Sequence, residues 1–188
     1  MGRWEPDARG RLLKAALELY GERGFEQTTV AAIATRAGLT ERTFFRHFAD
    51  KREVLFAGAS GLEELLVSTV SKAPDGIPPI DAAAAGIEAA GAAIQEGGEL
   101  PRLRARIIAA SAELQERELI KLASLASALA EALRRRGVIE PAASLTAEAA
   151  IAVFRIAFDR WINQAGQQDL PRLIRESLDE LKAVIAGQ

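Results

Sequence analysis

The sequence predicts an all-α protein, and three observations carry that prediction. Apolar residues recur at helical spacing in nearly every segment. No stretch keeps the period-2, β-branched alternation of a strand, and Gly and Pro punctuate the chain at helix-sized intervals. The 188 residues, 49% hydrophobic and 27% charged, suffice for one large domain or two small ones with a core of their own.

The elements follow in order. Leu13, Ala16, Leu17 and Tyr20 set a first helix that Gly24 can stop, after which Phe25 drops into the core. Thr29 caps a second helix with Val30, Ile33, Ala34 and Ala37 on one stripe, and Gly38 ends it after about two turns. Thr40 caps a third helix bearing Phe44, Phe45 and Phe48. Asp50 and Glu53 have the spacing of a capping box for a fourth, with Leu55, Leu62, Leu65, Leu66 and Val70 facing inward. "KAPDGIPPI" (72–80) is the clearest break in the chain. Beyond it lie an Ala/Gly-rich helix (81–96), a short helix from Pro101, a long one ending in "LRRRG", and helices at 145–165 and 170–186. On the long helix Leu119, Leu122, Ala126, Leu129 and Leu133 are expected in the core. The small residues of "DAAAAGIEAAGAAI" leave either room for a ligand or close helix packing.

Composition excludes several functions. With no cysteine and one histidine, the chain offers no disulfide, thiolate nucleophile or histidine-rich metal site. No nucleophile–base constellation is visible, so neither enzyme activity nor a cofactor is expected. The N-terminus lacks a signal-type apolar run, and no stretch spans a bilayer without charge, so a cytoplasmic protein with no membrane partner is expected. The net charge of −2 does not by itself favour a nucleic-acid partner.

The two short helices need neighbours to hold them, and with the glycine turn between them they form a helix-turn-helix unit. Phe44 and Phe48 point inward, which turns Arg42, Phe45 and Arg46 outward, with Glu41 and Thr43 near the exposed N-terminal end. Two readings stand side by side: a solvated charged face, or a surface whose arginines reach base edges while Thr29, Thr40, His47 and Lys51 hold phosphates.

"TTVAAIATRAGLTERTFFRHFADKREVL" (28–55) resembles the N-terminal DNA-binding motif of the TetR family of bacterial transcription regulators. Thr29, Ile33-Ala34, Ala37-Gly38, Thr43-Phe44-Phe45, His47-Phe48 and Lys51 carry the likeness, which covers about residues 8–56. The resemblance implies a three-helix helix-turn-helix DNA-binding domain at 1–56 (motif about 29–48) and a helical ligand-binding and dimerisation domain at 57–188, about nine helices in all. It implies Glu41, Arg42, Thr43 and Arg46 as base readers, and Thr29, Thr40, Phe45, His47 and Lys51 as backbone contacts. The family most often has tyrosine where this chain has Phe45, so a hydroxyl contact to phosphate is missing there.

For the remainder, the resemblance implies a homodimer that binds a palindromic double-stranded operator, acts as a repressor and is released by a small-molecule effector. The last two helices carry enough apolar surface to bury on a partner, on their own domain, or on both. Val153, Ala157, Trp161, Leu170, Leu173, Ile174, Leu178 and Leu181 are the expected dimer contacts. The alternative is a small-molecule binding or interaction protein of the same fold without sequence-specific DNA binding.

Overall fold

The computed structural model describes residues 7–163 and 169–187. These form nine α-helices and one 3₁₀ helix, with no strand among the described residues. The helices are α1 (Ala8–Arg23), α2 (Val30–Arg36), α3 (Glu41–His47), α4 (Ala59–Lys72), α5 (Pro79–Gln95), α6 (Leu100–Ala109), α7 (Ala112–Arg135), α8 (Ala142–Asn163) and α9 (Leu170–Ala186). The 3₁₀ helix, Glu53–Phe56, lies between α3 and α4. The expected end of the eighth helix at 165 falls outside the described residues.

The chain divides into two compact units, 1–59 with 102–116, and 60–101 with 117–188. A cut at residue 56 thus leaves 102–116 out of the first unit, although Ile107, Ile108 and Leu114 are buried in the same core as Leu12, Ile33 and Phe44. Nothing in the local sequence distinguishes these three residues from those of the second unit.

In the first unit, Asp7 opens α1 by accepting a hydrogen bond from the Gly10 N–H (2.9 Å). Gly24, at φ +82°, closes it, and Phe25 folds under to meet Tyr20 edge-on at 5.3 Å. The fourth helix expected from Asp50 onward is split. Asp50 accepts from the Arg52 and Glu53 N–H groups (2.8 and 3.1 Å), but only the 3₁₀ helix follows, and α4 starts at Ala59. Gly58 and Gly61 lower helix propensity at this junction. The run Glu53–Lys72 has the length and mean hydropathy (1.3) of a membrane span. It is nevertheless broken at this junction and carries exposed Glu63 and Glu64.

In the second unit α5, α8 and α9 pack on one another around Ile87, Ala147, Ala150, Leu170 and Ile174. The glycines of α5 serve close packing. A Cβ at Gly86 would sit 2.9 Å from Val70 Cγ2 and 3.2 Å from the Leu66 carbonyl oxygen, and one at Gly91 would sit 2.6 Å from Ile174 Cδ1. Arg136 ties the proline-rich break to the end of α7 by donating to the Ala73 and Pro74 carbonyls (2.7 Å each). Arg134 pairs with Glu131 and Glu140, so the arginine run is structural. Leu129 and Leu133 are buried as expected, whereas Leu119, two turns before the buried Ala126 on the same stripe, is 57% exposed.

The expected dimer contacts need correction. Val153, Ala157, Trp161, Leu170, Leu173, Ile174 and Leu178 are buried within the single chain, and Leu181 is partly buried against the same core. The first seven, already removed from water by their own domain, have no surface left to give a partner, whereas Leu181 keeps part of its surface. The sequence showed which positions were apolar; it did not show that α5 covers them.

Candidate nucleic-acid interface

Three short-range devices set α3. Thr40 caps it, accepting from the Thr43 N–H (3.2 Å), and its hydroxyl lies 3.1 Å from that of Thr43. Gly38, at φ +66°, turns the chain between α2 and α3, and a Cβ there would lie 2.8 Å from Arg11 Nη2. That guanidinium donates to the Ala37 carbonyl, so the turn has room for glycine and little else. Phe44, fully buried, and Phe48 meet with their rings tilted (centroids 5.5 Å apart) and anchor the inner face in the core. Thr29 caps α2 in the same way, accepting from the Ala32 N–H (3.1 Å).

With its inner face fixed, α3 presents Glu41, Arg42, Phe45 and Arg46 to solvent, with Thr43 half-buried beside Thr40. Neither Glu41, Arg42 nor Arg46 has a hydrogen-bond or ion-pair partner among the described residues. Other arginines of the unit are engaged. Arg36 pairs with Glu22 and Glu18 (2.9 and 3.4 Å), and Arg52 with Asp50 and Glu113 (2.6 Å each). The Arg52 guanidinium, helped by backbone N–H groups, holds the Asp50 carboxyl below its ordinary value. Two exposed arginines and a glutamate without partners on one short helix form a surface open to an external ligand.

Lys51 and His47 stand differently from expectation. The Lys51 ammonium donates to the carbonyls of Phe25 (2.9 Å), Thr28 (3.1 Å) and Glu26 (3.2 Å), and sits 4.3 Å from the Phe25 ring centroid. An ammonium has three N–H donors, so in this conformation none is left for a phosphate. Its observed job is to clasp the loop after α1 to the loop after α3. Tyr20 closes the same clasp from the other side, donating to the Lys51 carbonyl (2.6 Å); burial first, and the Asp50 charge second, push its phenol pKa well above the ordinary value. His47 is half-buried next to Phe48, and its Nε2 is buried with no partner among the described residues. Sequence spacing revealed neither arrangement, because both depend on where the 25–28 loop returns.

In the second unit the exposed large apolar residues of α8 are Leu145 (66% exposed) and Ile156 (52% exposed). Ala149 and Ala152 lie half-buried between them, at coiled-coil spacing along one stripe. Sequence reasoning placed Ile156 on the terminal pair but not on its free face. A surface depression of about 390 Å³ lies among Asp75, Ile77, Pro79, Arg136 and Ile139.

Comparison with known proteins bears on both units. The family model for bacterial regulatory proteins of the tetR family matches residues 12–57, and that for the MftR C-terminal domain matches 77–186. The chain is 36% identical over 89 residues to the HTH-type transcriptional regulator TcmR of Streptomyces glaucescens, a match covering 47% of this chain and 39% of that protein. It is 43% identical over 47 residues to the HTH-type transcriptional repressor KstR2 of Mycobacterium tuberculosis, covering 25% of this chain and 24% of that one. The matches thus span less than half the length of either relative. The fold resembles that of SmeT from Stenotrophomonas maltophilia, solved as a triclosan complex, with a TM-score of 0.69 and 24% identity over 94% of this chain and 90% of that one.

Proposed function

Because the chain belongs to the TetR family of bacterial regulatory proteins, we propose that it is a ligand-responsive, DNA-binding transcription regulator that acts as a repressor. The observation that carries this reading is the outer face of α3, where Arg42 and Arg46 are exposed without partners on a helix locked from behind. Such a helix fits the major groove, where arginine makes paired hydrogen bonds to guanine O6 and N7. Glu41 and Thr43 complete the base-facing set, Glu41 being suited to accept from cytosine N4.

The capping hydroxyl of Thr29 accepts a backbone N–H and keeps its own hydrogen for a phosphate oxygen, and that of Thr40 does the same when Thr43 is the donor between their two hydroxyls. His47 would serve a phosphate through Nδ1, since Nε2 faces protein. Lys51 contributes by holding the loop that carries Thr28 and Thr29.

Two copies would associate through the α8 stripe of Leu145, Ala149, Ala152 and Ile156, giving a symmetric pair that matches a palindromic site. The functional division is a DNA-reading N-terminal part, about 1–56, and a ligand-binding and dimerisation part, 57–188. The partner being chromosomal DNA, the protein would work in the cytoplasm, without catalytic activity of its own. Its effector is a small molecule, in keeping with a structural neighbour, SmeT, solved in complex with triclosan, and it acts by binding one conformation better than another.

Selection of bound fragments from random duplex DNA tests this reading. Enrichment of one palindrome, with half-sites about one helical turn apart or a multiple of it, is the expected result. No enrichment over input, together with tight small-molecule binding, would favour a binding protein of the same fold.

A further inference from the structure

Phe45 is 56% exposed, the one large apolar side chain on the outer face of α3. It shares that face with Arg42 and Arg46, three residues before it and one after. Its ring is not loose: it meets the buried Phe44 edge-on, with centroids 5.5 Å apart and planes at 85°. The ring is therefore held outward by a residue that cannot move without opening the core.

An aromatic ring aimed into a groove of polar base edges gains nothing unless it meets an apolar group. The 5-methyl of thymine is the one such group that the base edges offer in the major groove. The sugars lie at the groove's rim, whereas on that reading Phe45 shares the base-facing side of α3 with the exposed Arg42 and Arg46. We infer, on the reading given above, that Phe45 is a specificity-determining residue that packs on the 5-methyl group of one thymine in each half-site. The arginines would then select guanine while Phe45 selects thymine next to it.

Replacing thymine by deoxyuridine deletes that methyl and leaves every hydrogen-bonding group in place. With the operator selected as above, each thymine in both half-sites is replaced in turn, and binding is measured by fluorescence anisotropy. The intact chain, Phe45→Ala and Phe45→Leu are compared, their folding checked by circular dichroism. One symmetry-related thymine per half-site should cost the intact chain about four-fold on replacement. Phe45→Ala should be indifferent to the same replacement, and Phe45→Leu should keep part of the discrimination.

The inference is overturned if no thymine matters to the intact chain, or if the same thymines matter equally to Phe45→Ala. It is overturned as well if Phe45→Ala weakens every duplex by one common factor, which marks a backbone contact. Because the deoxyuridine scan of the intact chain stands alone, a misfolded variant does not mask the answer. Specific operator binding without methyl dependence sinks this inference only, whereas absence of specific binding sinks the reading beneath it.

Discussion

Replacing Lys51 by methionine separates two roles that a lysine at this place can play. The change keeps an unbranched side chain and removes the ammonium that sits over the Phe25 ring and joins the carbonyls of Phe25, Glu26 and Thr28. A hydrogen bond from a charged donor contributes about 1.5–3 kcal/mol net. The contributions here do not add in full, because one ammonium serves all three carbonyls and the exposed Glu26 carbonyl can turn to water. A loss of about 2–4 kcal/mol from the first unit follows, against about 0.5 kcal/mol for an ordinary surface lysine. Native-state hydrogen exchange at the α1 amides reads that loss within the unit concerned. The salt dependence of DNA binding, measured under conditions where the variant stays folded, should keep its slope. Unchanged exchange together with a slope smaller by about one would refute this reasoning and restore Lys51 as a phosphate contact.

Three further outcomes follow from the same structure. Gly86→Ala should destabilise the second unit by about 1–2 kcal/mol in urea unfolding, since the added methyl meets a backbone carbonyl that cannot retract; a gain in stability would show that α4 and α5 can move apart freely. The Asp50 carboxyl, held below its ordinary pKa chiefly by Arg52, stabilises the fold above about pH 4 and loses that contribution as pH falls through its depressed native value. The stability gap between the intact chain and Asp50→Asn should therefore shrink on acidification, and a gap independent of pH would contradict this. Ile156→Arg should convert a dimer to monomers in sedimentation while leaving each monomer folded, because Ile156 is half-exposed; Val153→Arg should instead unfold the second unit.

Helix positions were legible because each is written locally. The periodic apolar stripes, the caps Thr29 and Thr40, and the turn at Gly38 depend on neighbours within a few residues. The inward pair Phe44 and Phe48 follows from i, i+4 spacing, and with it the outward face of Arg42, Phe45 and Arg46. What depends on distant segments was not legible. Lys51 is as polar in sequence as a phosphate clamp would be, and only the return of the 25–28 loop engages its ammonium. Val153, Ile156 and Trp161 are similar in hydrophobicity, yet α5 and α9 cover the first and third and leave Ile156 open.

The central claim is that the outer face of α3 reads DNA sequence. Its most direct test is the affinity ratio between the selected operator and a scrambled duplex of equal length at one fixed salt concentration, for the intact chain and for Arg42→Ala. The account predicts a ratio on the order of 10³ or more for the intact chain. It predicts a fall in that ratio of about five-fold or more for Arg42→Ala, about 1–3 kcal/mol, with binding to the scrambled duplex changed far less. Equal losses on both duplexes would assign Arg42 to the phosphates and contradict the account.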